Sequence, residues 1–297
     1  MRRPSQLRCL PLRWIALSSL APCLLGQAPD SLTPASAPPD VMAIIRRSVE
    51  RDAQNFQRYR DYTFEQTTVQ YRFDKQGGIN STETETDEVL MLVGQPYNRV
   101  LARDGTTLSE KDARKEQEKL DKELVRRQKD PEKKQREYEK DRADERRFLR
   151  EIPDAYTFTL EGEEKIDNLP VWRIRAEPKP DFKPKDSRAN MLSKVRGTLW
   201  IEQTGYQWVK ADLDVIDTIS WGWFVLRIPP GATIQFTQRR VNQEVWMPES
   251  IKVRADARVA LLKTLRMGFD VTYSKYRKFS ADSKVIGTEE IPETKTK

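Results

Sequence analysis

Carboxylates, hydroxyls, lysine, arginine and tyrosine are the only reactive side chains in the body of this chain. Its 297 residues include no histidine, and its two cysteines, Cys9 and Cys23, both stand in the N-terminal segment. The body therefore has no imidazole triad, no thiolate nucleophile, no zinc site built from His or Cys and no haem attachment through cysteine. Its one compact acidic cluster is Glu202 with Asp212, Asp214 and Asp217. Paired carboxylates can hold Ca²⁺ or serve as acid and base in glycoside hydrolysis. Here Asp212 and Asp214 alternate with apolar residues, as on a solvent-facing strand, so neither a metal site nor catalysis is expected. No P-loop, G-x-S-x-G elbow or dinucleotide fingerprint is present. The expectation is a binding or carrier protein without a cofactor, with a carboxylate-based hydrolase as the remote alternative.

Aromatic residues offer a second kind of site. Trp200, Trp208, Trp221, Trp223, Phe224, Phe236, Trp246 and Phe269 come from neighbouring strand-like segments. In a closed sandwich they would be core. In a half-open barrel, the concave face would leave some of them lining a cavity for acyl chains or an apolar peptide. Burial of such a ligand stabilises by about 25 cal/mol per Å². Arg99 is the cation expected near that cavity, where a guanidinium could hold a carboxylate or the carbonyls of a lipid-modified terminus. Its simpler reading is an exposed strand arginine.

The elements that must position these residues follow from periodicity. Asp40 can cap a helix over 40–58, in which Val41, Ile44, Ile45, Val49, Ala53 and Phe56 recur at helical spacing. The period then changes to two, with strands over 61–74, 84–94 and 97–103, and turns at Gly77-Gly78 and Asp104-Gly105. The segment 109–150 differs, with 16 basic and 13 acidic residues among 42. Ser109 and Asp130-Pro131 mark two helix starts, giving helices over 110–129 and 131–150. Pairs such as Glu123–Arg127 and Glu132–Arg136 support them at a few tenths of a kcal/mol each. This segment is expected to be a solvated arm, or otherwise a lid or partner-docking element. Strands resume at Tyr156–Leu160 and Trp172–Ala176, around a turn at Asp167-Asn168. An irregular loop covers 178–194, and strands follow from Gly197 to about 278. The fold class is mainly β with helices (α+β): one antiparallel curved sheet of about 10–11 strands, forming a half-open barrel.

At the N-terminus, Arg2, Arg3, Arg8 and Arg13 precede an apolar run of twelve residues from Trp14 to Leu25. That order reads as a secretory signal, too short to span a bilayer. The expected organisation is a signal peptide at 1–28, a Pro/Ser/Ala-rich linker at 29–39, a body at 40–278 and a disordered tail at 279–297. The protein is expected to be exported to the periplasm, or alternatively lipid-anchored through Cys23. The formal charge of +7 falls to about +3 without the four signal arginines. Interleaved signs and export argue against a nucleic-acid partner, and a monomer is expected.

Two stretches carry a family likeness: Pro96-Tyr97-Asn98-Arg99-Val100, and the hairpin from Gly197-Thr198-Leu199-Trp200-Ile201-Glu202 to Gln207-Trp208-Val209-Lys210. With the order of signal, amphipathic helix and interrupted meander, the chain resembles the LolA/LolB-like group of periplasmic lipoprotein carriers. The resemblance implies a half-open barrel with an apolar cavity covered by helices. It also implies an apolar ligand or lipoprotein as partner. The charged 109–150 arm is longer than the lid of those carriers. An envelope protein-interaction module working through that arm is the alternative function.

Overall fold

Asp40 caps the first helix as its position predicts: its Oδ1 accepts the amide of Met42 at 2.9 Å. Helix α1 (Val41–Tyr59) buries Ile44 and Ile45 from its apolar stripe. The computed structural model describes residues 39–59, 61–221, 226–259, 263–278 and 286–288. The signal segment, the linker, both cysteines and most of the expected tail lie outside the described residues. Among the described residues, no helix is long and apolar enough to cross a membrane.

After α1 the chain makes a meander of β1 (Tyr62–Phe73), β2 (Ile79–Leu92), β3 (Gln95–Arg103) and β4 (Thr106–Thr107). The charged segment follows as α2 (Glu110–Gln128) and α3 (Pro131–Arg147), then a 3-10 turn (Phe148–Glu151) and the short α4 (Ile152–Ala155). Ser109 and Asp130 cap α2 and α3 as read from the sequence, with Pro131 at the first turn. Next come β5 (Tyr156–Ile166) and β6 (Leu169–Pro178), joined at Asp167 and Asn168. Both turn residues have positive φ, 48° and 67°, as a two-residue hairpin whose twist matches its strands requires. The segment expected to be an irregular loop ends in a 3-10 helix over Ser187–Lys194. The buried Glu151 carboxylate accepts the amides of Lys185 and Asp186 just before it, at 2.8 and 2.9 Å. The rest is β7 (Val195–Glu202), β8 (Trp208–Val215), β9 (Ile219–Trp221), β10 (Leu226–Ile228), β11 (Thr233–Val241), β12 (Val245–Val259), β13 (Lys263–Lys278) and β14 (Ile286–Thr288). β14 falls within the expected tail and pairs with β13.

Eleven strands lie in one unbroken path, β4-β3-β2-β1-β13-β12-β11-β8-β7-β6-β5, while β9, β10 and β14 attach beside it. The pairs along it are antiparallel. The fold is thus an α+β half-open barrel built on a curved, unclosed sheet. The ends of the path are β4 and β5, and the segment running directly between them in sequence is α2–α4. The helical insert therefore leaves one edge of the open sheet and returns at the other. Its return buries Ile152 and Ala155 in the main core, with Ile44 and Ile45 of α1 and Phe158, Ile174, Leu199 and Ile201 of the sheet. Full burial of such aliphatic side chains contributes about 1.5–3 kcal/mol each. A second core joins Tyr62, Phe64 and Val89 to Val241, Val245, Met247 and Tyr276.

The arm is not simply solvated. Arg127 of α2 is 7% exposed. Its guanidinium donates to the carbonyls of Leu92, Gln95 and Pro96 at 3.1, 2.9 and 3.2 Å, and to Glu123 at 2.5 Å. Gln95 Nε2 in turn donates to the carbonyl of Lys134, at 2.6 Å. An arginine in a charged helix reads as solvent-facing; here the carbonyls at the β2–β3 turn give it a partner set, and the arm docks there.

Candidate functional site

The site begins with a slip in register. Trp200 of β7 pairs with Lys210 of β8, but Ile201 pairs with Trp208, leaving Val209 as the extra residue of a bulge. Trp208 thereby joins Ala211 and Leu213 on the face under the helices, while Val209 packs with Val171, Trp200 and Trp246. On the neighbouring β11, Ile234, Phe236 and Gln238 alternate onto the helix-covered side. The two strands are in register through Phe236 opposite Ala211 and Thr237 opposite Lys210.

Helix α1 is pinned to β12 by Asn55. Its Nδ2 donates to the Trp246 carbonyl at 2.6 Å, and its Oδ1 accepts the Trp246 amide at 2.7 Å. Between helix and sheet lies a cavity of about 340 Å³, lined by Val49 and Phe56 of α1, Leu149 from the returning arm, and Trp208, Phe236, Gln238 and Trp246 of the sheet. A second cavity of about 240 Å³ has walls that include Phe148, Ile152, Phe158, Leu199 and Ile234. Leu149, Trp208 and Leu213 line both, so the two are adjoining lobes. Gly197 makes room for this arrangement: a Cβ there would meet the backbone of Asp212 and the side chain of Leu213.

A third hollow, of about 330 Å³, lies between α1 and α3 and reaches Tyr138 and Glu139. It shares Val49, Asp52, Phe56, Arg146 and Leu149 with the first lobe. At that divide Arg146 pairs with the Asp52 carboxylate, and its guanidinium stands 4.3 Å from the centre of the Phe56 ring. Burial raises the Asp52 carboxyl above the ordinary carboxylate range, and the charge and hydrogen bond of Arg146 partly offset that. The arm thus closes one side of the cavity through an ion pair and a ring.

Two residues that line the larger lobe each carry a buried polar atom. Trp208 Nε1, a donor, and Gln238 Oε1, an acceptor, are buried and have no hydrogen-bond partner among the described residues. A buried polar group left unpaired costs about 1–3 kcal/mol.

Of the residues singled out in the sequence, Trp208, Phe236 and Trp246 come together at this cavity. Trp200 points to the opposite face, where its Nε1 donates to Glu164 and Lys210 Nζ sits 4.2 Å from its ring centre. Phe269 pairs across β13 with Val253 and Gln70 and is not among the residues lining the cavity. Trp221 ends β9, and Trp223 and Phe224 lie outside the described residues. Arg99 is on β3, six positions along the strand path from β8, where it pairs with Glu88. Arg277 holds the other oxygen of Glu88, at 2.5 Å.

The acidic cluster does not converge. Asp212 pairs with Lys210 at 2.8 Å and Asp214 with Arg196 at 3.8 Å. Glu202 accepts the turn amides of Thr204 and Gly205 at 3.2 and 2.6 Å, and Asp217 accepts that of Thr218 at 2.7 Å. Among the described residues, no three His, Cys, Asp or Glu side chains are grouped to hold a metal. Gln238 is a residue missed in the sequence. The alternation of β11 puts Gln238 with Ile234 and Phe236, but a glutamine carries no signal of its own.

No protein-family model and no curated protein matches this chain. Among solved structures, it is similar to a DUF1329 family protein from Desulfovibrio piger at 12% identity and a TM-score of 0.32, over 82% of this chain and 95% of that one. It is similar to a LolA superfamily protein from Nitrosomonas europaea at 10% identity and a TM-score of 0.29, over 82% and 94% of the two chains. The MucA/MucB complex of Pseudomonas aeruginosa gives 11% identity and a TM-score of 0.21, over 81% and 99%.

Proposed function

We propose that the protein is an exported binding or carrier protein of the cell envelope, holding a ligand with an acyl chain between α1, the returning arm and the β8–β11 face. The observation that carries this reading is the two-lobed cavity, about 340 and 240 Å³, joined at Leu149, Trp208 and Leu213. Its size falls in the range of small-molecule sites, and its walls are largely aliphatic and aromatic. A chain of methylenes gains about 0.8 kcal/mol for each group it buries there. Export rests on the basic and apolar order of residues 2–25. The arm serves as the cover, docked at one end through Arg127 and meeting α1 at the other through Arg146.

Titration of the full chain with a dansyl-labelled undecanoate tests this. Saturable binding at micromolar levels, about −8 kcal/mol, with a blue-shifted dansyl emission, is the expected result. A folded protein that shows no saturable response would remove the carrier reading.

A further inference from the structure

We infer that the ligand is an amphiphile with an anionic head, its chain in the two lobes and its head in the hollow between α1 and α3, within reach of Arg150. This rests on the carrier reading and adds the ligand's polar end and its orientation. The hollow shares Val49, Asp52, Phe56, Arg146 and Leu149 with the larger lobe, and the larger lobe adjoins the smaller, so the three spaces form a series. Their linings change in one direction along it. The smaller lobe is walled by apolar residues, with Arg196 as the one charged residue lining it. The larger lobe adds Asn55, Gln238 and the Asp52–Arg146 pair. The hollow adds Gln57, Tyr138, Glu139 and Arg150, of which Gln57, Glu139 and Arg150 are exposed. A ligand matched to this gradient is apolar at its inner end and polar at its outer end. Its chain leaves water while its head keeps polar surroundings.

The charges around the hollow decide the sign of the head. Asp52 is taken by Arg146, and Glu139 accepts Gln135 Nε2 at 2.8 Å. Arg150 is the remaining charge. Among the described residues its side chain makes no hydrogen bond, ion pair or ring contact. It stands one turn beyond Arg146, in the 3-10 segment by which the arm returns to the sheet. Exposed on a long flexible stem, its guanidinium can meet a carboxylate or phosphate in the hollow without giving up a partner inside the protein. A cationic head would meet a like charge there, and a neutral head would leave Arg150 unused.

Displacement of the dansyl-labelled undecanoate from the full chain by decanoate, decyl phosphate, methyl decanoate and decyltrimethylammonium separates head charge at nearly equal chain length. The probe's own affinity is measured first in each variant. Arg150→Gln is expected to weaken both anions about three- to tenfold, between the effect of an exposed ion pair and that of a charged hydrogen bond. Methyl decanoate should stay within about twofold of its wild-type affinity. Arg150→Glu should bind decyltrimethylammonium more tightly than the wild type does. The tighter of the two anions in the wild type names the head as carboxylate or phosphate. Orientation has its own readout: 10-bromodecanoate should quench tryptophan emission more than 2-bromodecanoate, because its bromine lies beside Trp208 and Trp246 of the larger lobe. Retained cooperative melting shows that the variants fold. Unchanged anion binding in Arg150→Gln, an equal loss of anions and ester there, or stronger quenching by 2-bromodecanoate would overturn the inference and leave the carrier reading intact. No binding of the dansyl probe or of any competitor would overturn both.

Discussion

Trp200 and Trp208 stand on adjacent strands of one sheet, and their indole N–H groups meet opposite fates. Trp200 faces away from the main helix-covered core, donates to Glu164 and lies under Lys210. Trp208 faces the helices, lines both lobes of the cavity and has no partner among the described residues. On the first face charged side chains pair: Arg196 meets Asp214, Lys210 meets Asp212, and Arg173 meets Glu161 at 3.3 Å, while Asp212 Oδ1 and Arg173 Nε keep no hydrogen-bond partner among the described residues. The second face carries the aliphatic and aromatic walls of the two lobes, the lining that a small-molecule site needs. One bulged residue, Val209, separates the two roles.

The largest effect is expected where the helix-covered face is fully packed. Ile174 has no exposed surface and lies in the main core. Ile174→Ala should cost about 2–5 kcal/mol in denaturant unfolding; a loss below 1 kcal/mol would mean that this region too is hollow.

The docking of the arm comes next. Arg127→Met leaves the carbonyls of Leu92, Gln95 and Pro96 without that donor and should cost about 1–3 kcal/mol. The loss should appear first as faster amide exchange in α2 and α3. An unchanged exchange pattern would return the arm to the solvated element read from its sequence. The same anchor gives a pH signature. The hydrogen bond of Arg126, followed by that of Arg127, holds the Glu123 carboxyl down at about 2, against an ordinary 4.5. The native state then binds fewer protons than the unfolded one. This contribution is fully present above pH 4.5 and is lost as pH falls from there toward 2. Glu123→Gln should flatten that part of the stability profile, and identical profiles for variant and wild type would contradict it.

The smallest effects test the two tryptophans directly. Trp200→Phe removes a made hydrogen bond and should cost about 1 kcal/mol. Trp208→Phe removes a donor that the folded chain leaves unpaired, so stability should stay within about 0.5 kcal/mol of wild type or rise. The reverse order would break the comparison of the two faces.

Much of this fold was legible in the sequence, because periodicity reports burial. The stripe of α1, the capped starts at Ser109 and Asp130, the Asp167-Asn168 turn and the alternating strands all follow from local physics. The site was legible in part. Trp208, Phe236 and Trp246 are large apolar residues and announce themselves. Strict alternation, however, groups Val209 with Leu213, and only cross-strand pairing reveals the bulge that puts Trp208 on that side. Arg99 is a matter of position along the sheet, which no local pattern carries: its strand lies near the β4 edge, while the cavity forms around β8 and β11. Arg127 and Gln238 are polar residues whose roles depend on what the fold sets beside them, a set of turn carbonyls for one and a hollow wall for the other.

The most direct test of the account is to fill the point where the two lobes meet. Leu213 lines both and is not fully buried, so Leu213→Trp places an indole in the shared space. The wild-type full chain should bind the dansyl-labelled undecanoate saturably at micromolar levels. The variant should still melt cooperatively and bind at least tenfold more weakly, a loss of about 1.4 kcal/mol or more. Undiminished binding by a folded Leu213→Trp protein would contradict the claim that this cavity is where the ligand sits.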